Sequence, residues 1–213
     1  MPSELLTLYQ ILPQSKWSCS DVGASDRVSF IGLQQPIIAP CHVALGFDTA
    51  SDDELMLARE LAAGLIGESI ATLETSRTMR ALHPMSTMVF KENGMVTGVM
   101  GVLPLRASGL LALATDRFDP VNPDPDQIAP AGEEPLAFYG WGFAATTRRA
   151  SAVVINGANL FRTTVFPTIP GFARAATDAG RRVLMGRLGY SPFPRSTTGL
   201  LWTPPIQATE AQG

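Results

Sequence analysis

The stretch Thr87-Met-Val-Phe-Lys-Glu-Asn93-Gly94-Met-Val-Thr-Gly-Val-Met-Gly-Val-Leu103 gives the clearest structural signal in the chain. Two runs rich in apolar and β-branched residues flank the pair Asn93-Gly94. Because both residues of this pair tolerate a positive φ, they favour the two-residue type I′ turn of an antiparallel hairpin. The sequence therefore predicts two adjacent antiparallel strands.

Two helices are predicted before this hairpin. Ser51 to Glu54 has the spacing of a capping box, in which the serine hydroxyl accepts an amide hydrogen bond and the glutamate bonds back to the cap. Apolar residues then recur at intervals of three and four up to Gly67, which indicates an amphipathic helix. A second helix is predicted from Ser69 to about Leu82, because Pro84 disfavours helical geometry just before it.

The region after the hairpin combines irregular and regular segments. Ser108 to Phe118 predicts a short helix, and the many prolines of residues 119–135 predict an insertion without regular structure. The aromatic-rich segment Leu136 to Ala145 predicts a central strand. Thr163 to Thr168 predicts another strand, because it is rich in β-branched residues and is bounded by Pro167 and Pro170.

The carboxyl-terminal part predicts a helix and a last strand. Gly171 to Leu188 has the helical pattern, and Gly189 lies where a left-handed cap belongs. The expected apolar stripe is Phe172, Ala176, Ala179 and Val183. Thr197 to Thr203 predicts a strand, and Gln207 to Gly213 a frayed tail.

The segment from Ala150 to Phe161 is ambiguous. Asn156-Gly157 is compatible with a second hairpin turn or with a weak position inside a helix, and local chemistry slightly favours the hairpin. At the amino end, Ser3 to Leu12 predicts a short helix, followed by apolar runs around Phe30 and Val43. Taken together, the elements predict the α/β class, with a central mixed sheet flanked by helices.

Composition limits the class of protein. The 213 residues are 46% hydrophobic and 16% charged, which supplies a core and lacks the signature of disorder. Residues 1–213 are therefore expected to form one domain, of which residues 1–50 are only weakly patterned. The net charge of −3 lacks the basic surplus of a nucleic-acid binder, which argues against nucleic acid as a partner.

Residues that ligate metals or form disulfides are sparse. Cys19 and Cys41 occur in no ligand spacing and are expected to be reduced thiols. With His42 and His83 as the only histidines, the sequence argues against a metal site or a Ser-His-Asp triad. The uncharged run from Val28 to Phe47 contains prolines and glutamines, which indicates buried strand and loop instead of a membrane span. The amino-terminal residues lack a positively charged start and a long apolar run, so we expect no secretory signal and a cytoplasmic protein.

Three motifs and their order carry a family resemblance: the hairpin segment Asn93 to Gly98, the strand Ala137 to Ala145, and the segment Ala175 to Tyr190, which ends in Arg-Leu-Gly-Tyr. With the two helices before them, they span roughly residues 51–203. The sequence resembles the GNAT superfamily of acyl-CoA-dependent N-acyltransferases. This resemblance implies the GNAT-like fold and acetyl-CoA or another acyl-CoA as co-substrate, with no metal.

In that family two neighbouring parallel strands splay apart, and the acyl-thioester arm of CoA pairs with the free strand edge. The resemblance places this edge at Phe143, Ala144 and Ala145. The family's next loop, Q/R-x-x-G-x-G/A, binds the CoA pyrophosphate at a helix start. Here the segment lacks the glycines, and the implied contacts are Arg148, Arg149, Ala150, Ser151 and Ala152. A solvated arginine pair is an equally weighted interpretation.

Catalytic residues are not assigned by the resemblance. The family's proton-donating tyrosine corresponds to Met185, which has no proton to donate, and a base is sought in Glu133 or Glu134. Tyr139 and Trp141 alternate on the central strand and would share one face with Phe143. The resemblance directs that face into the acceptor pocket, whereas simple core packing is the alternative interpretation.

The function implied is transfer of an acyl group from a CoA thioester to the amine of a small molecule or peptide. The neutral amine would attack the thioester directly, helped by positioning and by backbone polarisation of the carbonyl. One alternative is a GNAT-fold module that has lost transfer and acts by binding or regulation. Another alternative is that Asn156-Gly157 forms a hairpin turn and the chain does not belong to this family. A homodimer is left open.

Overall fold

The computed structural model describes residues 45–67, 69–194 and 196–206 of the chain. Several predictions lie outside these residues and stay predictions. They are the helix from Ser3 to Leu12, the apolar runs around Phe30 and Val43, the states of Cys19, Cys41 and His42, and the tail from Gln207 to Gly213.

The described residues form one seven-stranded mixed sheet. Its strands are β1 (Phe47–Thr49), β2 (Met88–Glu92), β3 (Met95–Leu105), β4 (Ala137–Ala145), β5 (Gly171–Arg174), β6 (Ser191–Pro192) and β7 (Leu200–Thr203). Across the sheet the order is β1-β2-β3-β4-β5-β7-β6. β4 and β5 are parallel, and all other neighbouring strands are antiparallel.

Helices cover both faces of this sheet. They are α1 (Asp52–Ile66), α2 (Leu73–Leu82), α3 (Ala107–Ala114), α4 (Arg148–Leu160) and α5 (Asp178–Gly186). Strand alternation assigns the faces, because Val99 of β3 packs with α1 while the next residue, Met100, packs with α4. α1, α2 and α3 therefore lie on one face, and α4 and α5 lie on the other. The predicted α/β class, with helices flanking a mixed sheet, is confirmed.

The strongest local signals are confirmed in detail. The capping box forms, because the Ser51 amide donates to Glu54 Oε2 at 2.8 Å and the Glu54 amide donates to Ser51 Oγ at 3.3 Å. The first helix ends at Gly67, whose φ is 98°. In the hairpin, Asn93 and Gly94 have φ of 52° and 79°, as a type I′ turn requires.

The second helix begins later than predicted. α2 starts at Leu73 instead of Ser69, because the Thr72 side chain caps it by accepting a hydrogen bond from the Thr75 amide at 3.1 Å. Spacing of apolar residues could not locate this start, since Ile70 is half-buried in the preceding segment and mimics a helical position.

The favoured hairpin at Asn156-Gly157 is wrong, because Arg148–Leu160 is the continuous helix α4. Gly157 forms no turn and is instead a site of close packing. A Cβ built there would lie 2.9 Å from the Met100 side chain and 3.1 Å from the Phe47 ring. The glycine thus lets α4 approach the sheet closely.

Two neighbouring predictions are also wrong. Thr163 to Thr168 is no strand, since Phe161–Val165 continues α4 as a π-helical turn. The strand lies at Gly171–Arg174, inside the predicted helix, and α5 begins only at Asp178, capped by Thr177. Alternation explains the error, because Phe172 and Ala173 pack on opposite faces of the sheet, which is a strand period and not a helical one.

The ends of this region partly match the predictions. Gly189 has the left-handed φ of 69° expected of a cap. The last predicted strand, Thr197 to Thr203, is present only as Leu200–Thr203.

Asp116, just after α3, fastens the loop that precedes β7. Its carboxylate accepts hydrogen bonds from Ser196 Oγ, the Thr197 amide and hydroxyl, and Thr198 Oγ1, at 2.7 to 3.0 Å. Burial opposes ionisation, but these four bonds outweigh it and lower the pKa of Asp116 to about 2. The aspartate therefore joins the end of α3 to the loop that leads into β7.

We expect Asp116→Asn to lower the free energy of unfolding at pH 7 by about 2 kcal/mol, since hydrogen bonds to a charged group are lost. The folded pKa lies below the ordinary value of 3.8, so this stability is fully present above pH 3.8 and lost as the pH falls through about 2. The melting temperatures of the wild type and of Asp116→Asn should therefore converge as the pH falls from 3.8 to about 2. A constant difference would contradict the assignment, and Glu134→Gln is the exposed control.

Gly101 of β3 is closely packed against neighbouring backbone. A Cβ at this position would lie closer than 3.0 Å to the Ser86 carbonyl oxygen, which is backbone and cannot rotate away. We expect Gly101→Ala to destabilise the protein by about 1–3 kcal/mol in urea unfolding. The matched control is Gly64→Ala in α1, where a Cβ meets nothing within 4 Å and helix propensity should raise stability.

Candidate functional site

The parallel strands β4 and β5 pair over three residues only, because β5 ends at Arg174 while β4 continues to Ala145. They pair only from Phe138 to Gly140 against Gly171 to Ala173. On its other side β4 stays paired with β3, but the register skips Trp141 between the pairs Val102–Gly140 and Gly101–Gly142. Such a bulge bends a strand and increases its twist. The half of β4 from Trp141 to Ala145 thus has a free edge on the β5 side, where the chain leaves the sheet after Arg174.

A cavity of about 650 Å³ lies at this free edge. Its lining comes from both faces of the sheet and is mostly apolar. Residues of α1 and of the 69–71 segment line it on one face, residues of α4 and α5 line it on the other, and the stretch Tyr139 to Ala145 crosses it. The predicted edge residues Phe143, Ala144 and Ala145 are therefore all in the lining.

The predicted common face of Tyr139, Trp141 and Phe143 is wrong. Tyr139 and Trp141 pack with the cluster on the α2 and α3 face, whereas Phe143 packs with the cluster under α4. The bulge at Trp141 is the reason, because an extra residue inverts the alternation of side chains after it.

Tyr139 and Trp141 both line the cavity on the α2 and α3 face. Tyr139 is 2% exposed, and burial raises the pKa of its hydroxyl to about 12, although the charge of Arg174 opposes the shift. Trp141 donates its indole hydrogen to the Pro120 carbonyl at 2.7 Å. This bond holds the proline-rich segment against the cavity, where Pro120 and Val121 contribute to the wall.

The segment after β4 opens helix α4, as the resemblance implies. Thr147 caps the helix by accepting a hydrogen bond from the Ala150 amide at 3.0 Å. Arg148 and Arg149 lie exposed on the first turn, and the Arg149 guanidinium lies 5.9 Å from the centre of the Phe90 ring. By helix geometry the amides of the first turn have no intrahelical acceptor. An anion could approach both the amides and the arginines here.

The residues that stand in place of the family's glycines obstruct this surface less than the sequence suggests. Ala150 is fully buried, and its methyl group faces Gly98 of β3, where an added Cβ would lie 3.4 Å away. Ser151 donates its hydroxyl hydrogen to the Thr147 carbonyl at 2.8 Å, and Ala152 is exposed. The glycine of β3 thus provides the space that the alanine of α4 occupies.

Glu92 is a neighbour of this helix start that the sequence did not identify. Thr147 donates its hydroxyl hydrogen to Glu92 Oε2 at 2.6 Å, and this bond is the main cause that lowers the pKa of the carboxyl. Glu92 Oε1 also lies 4.0 Å from Arg149 Nε. A negative charge is favourable at a helix N-terminus, but it opposes a second anion at the same place.

The other catalytic candidates lie away from the cavity. Glu133 forms a two-bond pair with Arg106, with both distances 2.7 Å, and it does not line the cavity. The bond to Arg106 lowers the pKa of Glu133. Met185 is 40% exposed on α5, and neither it nor Glu134 is among the lining residues.

Two arginines line the cavity that the sequence did not identify. Arg174, at the end of β5, donates from Nη1 to the Phe118 carbonyl at 3.0 Å, while its Nε and Nη2 are buried and have no partner among the described residues. Arg59 of α1 donates from Nε to the Ala71 carbonyl at 3.1 Å. Only the fold brings these distant positions together.

The described residues contain no group of three or more His, Cys, Asp or Glu side chains placed to hold a metal ion. None of the described helices combines the length and apolar character needed to cross a membrane.

No family model and no curated protein matched significantly. Solved structures that are similar include Ard1 from Thermoplasma volcanium, at 15% identity and TM-score 0.44, and a protein described as an acetyltransferase, at 13% and 0.41. Each match covers 74% of this chain and 95% of the other.

The chain's own features define its class, an α/β protein with a mixed sheet whose central parallel strands splay around a cavity. Element order and the splayed pair match the fold implied by the GNAT resemblance.

Proposed function

We propose that the protein is an acyl-CoA-dependent N-acyltransferase. The observation that carries this proposal is the free edge of β4, from Trp141 to Ala145, which lies in a cavity open to both faces of the sheet. An extended chain with amide groups can pair with such an edge as an added strand. The pantetheine arm of CoA has these properties.

The start of α4 fits the phosphate groups of the same ligand. It lies directly after β4, so one molecule can contact the strand edge and the helix N-terminus together. Arg148 and Arg149 add positive charge with planar donors suited to phosphate oxygens. Glu92 opposes this binding by its charge, which supports a moderate affinity instead of a tight one.

In this proposal the residues of the chain position the reactants and supply hydrogen bonds. Bound acyl-CoA would supply the thioester as acyl donor. The amides of the free β4 edge would polarise its carbonyl, and the cavity would hold the amine next to it. Tyr139 and Trp141 would form the wall on the acceptor side. With a pKa of about 12, the Tyr139 hydroxyl stays protonated near neutral pH and serves as a donor, not as a base.

A binding or regulatory module that has lost transfer is the second candidate. Met185 is the observation that favours it, because it replaces the proton-donating tyrosine of the resembling family and lies exposed, outside the cavity lining. Binding of CoA compounds without thiol release, across a panel of amines, would favour this candidate.

We expect acetyl-CoA and free CoA to raise the melting temperature of the protein. A ligand at 100 times its Kd stabilises the native state by about 2.7 kcal/mol, which is several degrees for a chain of this size. Changing Arg148 and Arg149 together to alanine should weaken the shift, while Glu92→Gln should strengthen it, because one negative charge leaves the helix start.

The matched controls are ATP, as another polyanion, and the Arg181→Ala, Arg182→Ala pair on the exposed side of α5. An equal shift with ATP would show anion binding alone. No shift with any CoA compound would reject the proposed ligand.

Gly142 offers a test of the strand edge itself. A Cβ at this position meets nothing within 4 Å and Gly142 lines the cavity, so Gly142→Leu should fold normally and fill the space beside the edge. We expect the ligand-free melting temperature to change little and the CoA-dependent shift to disappear. A retained shift would place the ligand elsewhere. Gly186→Ala, on α5 outside the lining, is the control.

A further inference from the structure

We infer that the acceptor amine carries a carboxylate group, which Arg174 and Arg59 recognise on the α1 side of the cavity. This inference rests on the proposed transferase function and names the class of its acceptor: a small amine that is also a carboxylic acid.

Arg174 lies on the face that α1, α2 and α3 cover. In β5 the side chain of Phe172 packs on that face and Ala173 packs on the other, so Arg174 returns to the first. Its bond to the carbonyl of Phe118, a member of the same cluster, agrees with this placement. The residue lies where β5 leaves β4, and it lines the cavity.

Only one nitrogen of the Arg174 guanidinium has a hydrogen-bond partner among the described residues. Nη1 is bonded to the Phe118 carbonyl, while Nε and Nη2 are buried without a partner among the described residues. Buried charged groups are stable in proteins when they are paired, and unpaired donors of this kind call for an explanation. Nε and one terminal nitrogen form the planar fork that binds a carboxylate through two parallel hydrogen bonds.

Arg59 adds a second positive charge to the same side. Of the described residues that line the cavity, three have ionisable side chains: Arg59, Tyr139 and Arg174. Since the tyrosine is neutral near pH 7, the charge that these three contribute is positive. Arg59 is held by Nε at the Ala71 carbonyl, which leaves its terminal nitrogens for a ligand. This field attracts a carboxylate and opposes an ammonium group that lacks one.

The position of the arginines separates them from the phosphate-binding surface. Arg148 and Arg149 belong to α4, on the opposite face of the sheet, whereas Arg59 belongs to α1. The rest of the wall on the α1 side includes Trp141 and Val121, which are apolar. An acceptor with an apolar side chain next to its amine and carboxylate fits these surroundings.

The test compares L-phenylalanine with L-phenylalaninamide as acceptors in a thiol-release assay with acetyl-CoA. Rates are corrected for the neutral-amine fraction of each compound, because their amine pKa values differ. We expect kcat/KM to favour the free acid by about 10-fold or more, as a charge-assisted hydrogen-bond pair provides. Arg174→Gln should remove this preference and leave the acetyl-CoA melting shift unchanged, and Arg59→Gln should reduce it.

Each outcome decides the inference. Equal corrected rates in the wild type overturn it and leave the transferase proposal intact. A wild-type preference for succinyl-CoA over acetyl-CoA that Arg174→Gln reverses also overturns it, because the arginine then recognises the acyl chain. If Arg174→Gln fails to fold, the wild-type preference for the free acid and the effect of Arg59→Gln still test the inference.

Failure of the transferase proposal is distinguished by a binding measurement. If no CoA compound shifts the melting temperature and no thiol is released, N-acetyl-L-phenylalanine and its amide are compared in the same melts. Stabilisation by the acid alone, lost in Arg174→Gln, supports the carboxylate site without the transferase. No difference between the two overturns the inference as well.

Discussion

The β-bulge at Trp141 is the constraint on which the site depends. β5 ends at Arg174 after three paired residues, so the half of β4 from Trp141 to Ala145 has no strand partner on that side and borders the cavity. The extra residue bends β4 away while β3 keeps it in the sheet on the other side. Gly101, opposite the bulge, has no side chain because the Ser86 carbonyl occupies that space. The cavity is therefore built into the backbone pairing.

Local signals in the sequence predicted the elements whose causes are local. The capping box at Ser51 and the turn at Asn93-Gly94 act through adjacent residues, and both formed where expected. The helix α4 was missed because Gly157 has two explanations locally, and only the Met100 and Phe47 side chains from distant strands decide between them. β5 was missed because its short alternation resembles the start of a helical stripe.

Local sequence signals predicted even less of the site than of the fold. The family resemblance led to the strand edge and to the start of α4, and both adjoin the splay. Arg59, Glu92 and Arg174 could not be found in this way, since each acts through a neighbour far away in sequence. The bulge could not be foreseen either, because Gly140 and Gly142 fit a regular strand as well as an irregular one. Its effect was to invert the predicted orientation of Phe143.

The bulge and the proline-rich segment act on the same residue. Trp141 is the residue left out of the strand register, and its indole binds the Pro120 carbonyl. Arg174, at the end of β5, binds the carbonyl of Phe118, two residues before Pro120. The strands β4 and β5 are thus joined again through one short stretch of the chain, which spans the gap on the α1 side. Because both bonds end on backbone carbonyls, the width of the cavity on that side is set by the conformation of this stretch and not by its side chains.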